Sequence, residues 1–182
     1  VAILRSRLKS MSGSRSRIHK STLPSGQVDV LEDRVLMTAE FGDAPSPYPV
    51  TLADNGARHS GTGPRLGLTV DTEADGANSV SAQGDGADED GVVFGAVNVG
   101  RTDASVLVKV RTAAHGTKLD AWIDFNGDGD WNDAGEKIFN SKQVLNNTNQ
   151  TLRFTVPDTA VLGATYARFR ISSAGGLNPT GA

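Results

Sequence analysis

The sequence predicts an all-β protein: an antiparallel β-sandwich of about seven to eight strands behind a disordered basic leader. Three observations predict it. Four segments alternate apolar and polar residues with period two. Turn residues, among 21 Gly and 7 Pro, fill the gaps between them. No window sustains an amphipathic helical pattern for three turns. At 182 residues the chain is long enough for one core and a tail.

The tail comes first. Residues 1–40 read as a flexible basic leader or targeting segment, and residues 41–182 as the domain. The first twenty residues hold Arg5, Arg7, Lys9, Arg15, Arg17 and Lys20 and no acid. The other 12 of the 18 Lys and Arg face all 21 Asp and Glu, so the rest of the chain carries −9. Such a body repels nucleic-acid phosphates and attracts cations. The longest candidate for a secretory apolar stretch, Val28 to Met37, is broken by Asp29, Glu32, Asp33 and Arg34. No apolar run approaches the length of a membrane span.

From Phe41 to Pro64 the prolines and glycines dictate extended or looped chain. Short strands are expected at Arg65 to Val70 and Gly91 to Val97. In Ala104 to Thr112, Val106, Val108 and Val110 share one face and Leu107, Lys109 and Arg111 the other, which is the pattern of a half-buried strand. The same alternation turns Leu119, Ala121, Ile123 and Phe125 inward. It then predicts a short strand at Glu136 to Phe139, and turns inward Leu152, Phe154 and Val156, then Thr165, Ala167, Phe169 and Ile171.

The chemistry is concentrated in the run from Asp124 to Glu136. Oxygen-bearing side chains at alternate positions Asp124, Asn126 and Asp128, then Gly129, let a tight turn aim several oxygens inward, as a hard cation with six to eight oxygen ligands requires. Calcium fits this donor set and zinc does not. Asp124, Asn126 and Asp128 are the expected side-chain ligands, Asp130 is expected to act through its carbonyl, and Asn132, Asp133 or Glu136 closes the shell. The EF-hand pattern is incomplete, because Gly135 stands where the bidentate Glu belongs, and the flanks alternate like strands. The competing reading is an Asx-turn hairpin without a metal. Five carboxylates in thirteen residues weigh against it, since they repel one another without a counterion. A second acidic stretch, with Asp85, Asp88, Glu89 and Asp90, shares the composition but not the spacing, and reads as a solvated loop or a second metal site.

Other chemistries find little support. There is no cysteine, hence no disulfide, thiolate metal site or thiol nucleophile. His19, His59 and His115 are scattered, and His115-Gly116 reads as a hairpin turn. No nucleophile elbow, P-loop or dinucleotide fingerprint is present. An enzyme is therefore not expected, although a carboxylate pair leaves a glycoside hydrolase as the remote alternative. Trp122, Tyr166, Arg168 and Arg170 fall opposite the aliphatic positions. That face either stacks a sugar ring, making a carbohydrate-binding module, or is covered by a second sheet or the N-terminal loops with its arginines on rings and paired to Asp120.

The run Ala121-Trp122-Ile123-Asp124-Phe125-Asn126-Gly127-Asp128-Gly129-Asp130-Trp131 with Ala134-Gly135-Glu136, then Thr165 to Arg170 and Asn178-Pro179-Thr180-Gly181, resembles the GEVED domain of bacterial surface and secreted proteins. Phe41 to Pro45, His59, Asp71 to Gly76 and Asp88 to Val92 resemble it in the same order. The resemblance implies a secreted or cell-surface β-sandwich module with a structural or adhesive task, its partners being neighbouring extracellular domains or cell-surface components, glycans included. The signature that names the family would follow Gly181, so a last strand is expected to be missing. Leu31-Glu32-Asp33-Arg34-Val35-Leu36-Met37 looks like the leader of planctomycete-type exported proteins.

Overall fold

The computed structural model describes residues 39–60, 63–70, 72–82, 91–111 and 116–182. Most of the basic leader, the second acidic stretch with Asp85, Asp88, Glu89 and Asp90, and His19, Asp71 and His115 lie outside the described residues. Within them the regular structure is nine β-strands, all paired antiparallel, with no α-helix. They are β1 (Ala39–Phe41), β2 (Arg58–Ser60), β3 (Arg65–Leu66), β4 (Val92–Phe94), β5 (Ala104–Arg111), β6 (Lys118–Ile123), β7 (Lys137–Gln143), β8 (Asn149–Phe154) and β9 (Ala167–Ser172).

β5 organises the first large sheet. It pairs along its length with β8, Ala104 opposite Phe154 through Lys109 opposite Asn149, and also takes β4 at Val106 to Val108 and β3 at Val110 and Arg111. The alternation read from the sequence is complete: Ala104, Val106, Val108 and Val110 are buried, the residues between them half-buried. β6 organises the second sheet, in the order β7-β6-β9. Leu119, Ala121, Ile123 and Phe125, expected inward, join the β5 valines in one apolar cluster with Phe139, Val144, Phe154, Val156 and Ile171. Two sheets sharing one interior make a β-sandwich. Phe94 stands edge-on to Phe154 and Phe169, and Phe139 edge-on to Phe154, the favoured geometry for rings in such a core.

Several boundaries differ from the sequence reading. The strand expected at Glu136 to Phe139 continues to Gln143, because its exposed second half, Asn140 to Gln143, has no apolar alternation to announce it. A bulge in its pairing with β6 places Ser141 at φ 49°, and the Asp120 carboxylate takes the Ser141 N–H at 2.9 Å. The strands expected at Arg65 to Val70 and Gly91 to Val97 contract to β3 and β4. The proline-rich stretch contains β2, which pairs with β1 beyond the reach of the prolines.

A second, smaller cluster lies on the other side of β6. Ala44, Tyr48 and Val50 pack there with Trp122 and Trp131, flanked by Tyr166 and Leu177. The segment from Ala44 to Val50 thus covers the face of the β7-β6-β9 sheet that the apolar core does not.

Candidate metal centre

The acidic loop begins where β6 ends and closes where β7 begins. Its ends are held by backbone bonds: Ile123 N–H donates to Glu136 O at 3.0 Å, Asp124 N–H to Tyr166 O at 3.1 Å and Val161 N–H to Phe125 O at 2.8 Å. The Thr165 hydroxyl donates to the Asp124 carbonyl. Left-handed backbone at Gly127, Gly129 and Gly135, φ 75°, 95° and 98°, lets the chain reverse within so few residues.

Asp124 is buried and held by three hydrogen bonds to its carboxylate. Its Oδ1 accepts from Gly127 N–H at 2.5 Å, and its Oδ2 from Gly129 N–H at 3.0 Å and from the Tyr48 hydroxyl at 2.5 Å. Burial foremost, then this bond to the Asp124 carboxylate, pushes the Tyr48 phenol above its ordinary range. Glu136 is buried at the opposite end, accepting from Phe125 N–H and Asp133 N–H, each at 3.2 Å. Burial raises its pKa, those two N–H groups oppose the rise, and the charges of Asp124 and Asp133 add to it. A nearby cation would reverse the effect of both burial and like charge.

Between these anchors Asn126, Asp128 and Asp130 each accept the N–H two residues on, at 3.1, 3.2 and 2.7 Å, forming a ladder of Asx turns. Two carboxylate groupings result: Asp124, Asp128 and Glu136, and Asp128, Asp130 and Asp133, each with one oxygen per residue lying within 4.8 Å of the others. Oxygens on opposite sides of a calcium ion are separated by about 5 Å, twice a bond of 2.3–2.6 Å, so these spacings suit one. The donors are all hard oxygens, which fits calcium and not a thiophilic metal.

Asn126 turns its amide nitrogen to the carboxylates of Asp128 at 3.0 Å and Asp133 at 2.6 Å, a position from which it offsets their charge, while its oxygen accepts the Asp128 N–H. The Asn126 bond is the first cause, and the Asp130 N–H the second, of a lowered Asp128 pKa. The Asp130 carboxylate also lies in one of the two groupings, beside the carbonyl expected to serve. Asn132 stays exposed, its N–H on Asp130.

Three of the four residues of the expected ligand face are covered, and Tyr166 is half-buried. Trp122, Arg168 and Arg170 are each 2% exposed. Arg168 lies 4.2 Å over the Trp131 ring and donates to Pro49 O and Pro179 O; Arg170 donates to the carbonyls of Arg58, Asn178, Thr180 and Gly181 and to His59 Nε2. Of the two readings of this face, the geometry is that of covered arginines, lying beneath Pro49 and Arg58 from the N-terminal side and beneath the C-terminal run Asn178 to Gly181. Asp120 pairs not with an arginine but with Lys137 at 2.9 Å, whose ammonium sits 4.9 Å from the Trp122 ring. Alternation assigns side chains to a face; it does not say what lies upon it.

Trp131, inside the acidic loop, is packed 4.4 Å from Tyr48 and donates its indole N–H to Tyr166 O. The frame of the loop is thus drawn from β6, β7, β9 and the turns between them, with Tyr48 packed against it from upstream. Residues 118–182 match the GEVED domain family. No curated protein and no solved structure matches the chain. The GEVED match starts at the first residue of β6 and contains all of the acidic loop, Arg168 and Arg170. The resemblance read over residues 41–182 is thus shown for 118–182, and Tyr48, Pro47 and His59 stand outside the GEVED segment while touching it.

Proposed function

We propose that the chain is a non-catalytic, calcium-stabilised β-sandwich module of an exported bacterial cell-surface protein, with a structural or adhesive task. What carries the reading is the pair of carboxylate groupings that share Asp128 in a loop fixed to two strands. An ion bound there neutralises mutual repulsion and ties β6 to β7, so that affinity for the ion adds directly to folding stability. The GEVED match supports the surface module; the GEVED resemblance, not the geometry, carries export and adhesion. No transmembrane helix is needed, and no helix among the described residues is long and apolar enough to cross a membrane.

The test is thermal unfolding of the full chain in chelator and in calcium chloride. Saturation at about a hundred times Kd stabilises by about 2.7 kcal/mol, which raises Tm by roughly 5–10 °C for a chain of this size. Asp128→Asn, which takes one charge from both groupings, is expected to remove most of that rise. Identical melts in chelator and millimolar calcium would overturn the reading.

A further inference from the structure

The GEVED match begins at Lys118, yet the residue that fixes the first candidate ligand comes from 76 positions upstream of it. We infer that the Ala44–Val50 segment is a working part of the cation site, with Tyr48 as the positioning residue that orients the Asp124 carboxylate. The inference rests on the cation-binding reading above and adds to it a component that the family segment does not contain.

Geometry carries the argument. A carboxylate oxygen has two lone-pair positions. Asp124 Oδ2 spends both, on the Tyr48 hydroxyl at 2.5 Å and Gly129 N–H at 3.0 Å, while Oδ1 spends one on Gly127 N–H. Oδ1 is therefore the atom left to meet an ion, and the Tyr48 bond is the one side-chain bond among the three that keep the carboxylate from rotating. Tyr48 is itself held firmly. Its ring packs against Trp131 and, at 5.4 Å, Tyr166; its N–H donates to Pro45 O, and the Asn78 side-chain amide donates to Ala44 O at 2.8 Å and Tyr48 O at 3.1 Å. The neighbouring residue completes the clasp: a Cβ on Gly129 would stand 2.3 Å from the Pro47 ring, so the loop's central glycine admits this strap and nothing larger. Groups that orient a ligand from behind are commonly worth ten- to a hundredfold in metal affinity.

The experiment is calcium titration by calorimetry on the full chain, comparing wild type with Tyr48→Phe, which removes only the hydroxyl. The expected result is an affinity lower by about tenfold in the variant. The number of waters on bound terbium, read from luminescence lifetimes in H2O and D2O, is expected to rise by about one as the loosened carboxylate yields its place. That gain is a readout a purely structural role would not move. Asn78→Ala, which slackens the strap without touching the carboxylate, is expected to lower affinity by about two- to threefold, and carries the test if Tyr48→Phe does not fold. Wild type that takes up no calcium would sink the cation reading itself. Wild type that binds, with Tyr48→Phe binding equally well at unchanged hydration, would overturn this inference alone.

Discussion

The two faces of the β7-β6-β9 sheet are both buried, but by opposite means. One contributes Leu119, Ala121, Ile123 and Ile171 to an apolar interior shared with β5. The other buries Trp122, Arg168 and Arg170 beneath chain that has little regular structure. On the first face stability comes from removing apolar area from water, and any side chain of similar size and polarity serves. On the second the two guanidiniums are hydrogen-bond hubs, each donating to backbone carbonyls from chain segments far apart in sequence. The difference explains how a thin, glycine-rich chain keeps long loops in place: it spends its arginines as brackets.

The comparison makes its strongest claim about Arg170. Arg170→Leu keeps roughly the volume and removes a donor from four carbonyls and His59, of which the Gly181 carbonyl keeps the Arg58 N–H, so it is expected to cost about 3–5 kcal/mol in chemical denaturation, each acceptor left stranded contributing roughly 1–3 kcal/mol before relaxation. A cost under about 1 kcal/mol would show that the bracket is ornamental and that loop packing suffices. On the apolar face Leu119, fully buried, is the matching probe. Leu119→Ala is expected to cost about 2–5 kcal/mol from lost transfer energy and the cavity left behind, at the lower end if the sandwich can settle. The two should differ most in where protection is lost: Leu119→Ala lowers hydrogen-exchange protection through β5 and β6 alike, whereas Arg170→Leu exposes Arg58 and Gly181, whose backbone bond at 3.0 Å it flanks.

Legibility in the sequence follows the same division. The apolar face was readable because period-two alternation is a local property, and Val106, Val108 and Val110 or Leu119, Ala121 and Ile123 announce it unaided. The acidic loop was readable for the same reason, since its oxygen donors are spaced along one short run. What escaped was long-range. Nothing near Tyr48 points to Asp124, and the fate of Arg168 and Arg170 depends on carbonyls of Pro49, Arg58 and Asn178, groups that every residue possesses and that no composition reveals. The polar half of β7 was hidden because its register is set by the Asp120 bond to Ser141 and not by hydrophobic residues.

The finest discrimination between the faces is by pH. His59 accepts from Arg170 Nε at 3.0 Å, which requires it neutral; burial first, then the adjacent Arg170 charge, push its pKa down from 6.5 to about 4. Because the unfolded chain takes up the proton at higher pH than the folded one, the stability held above about pH 6.5 drains away as pH falls toward 4. His59→Gln keeps an acceptor for Arg170 and removes the titration. Its Tm is expected to fall less steeply than that of wild type between pH 6.5 and 4, with the curves converging in shape above pH 7. Melts taken in chelator at pH 7, 5.5 and 4.5 keep divalent cations out of the comparison. Parallel curves across that window would mean that His59 already exchanges its proton freely in the folded chain, and that the arginine face is wetter than its burial implies.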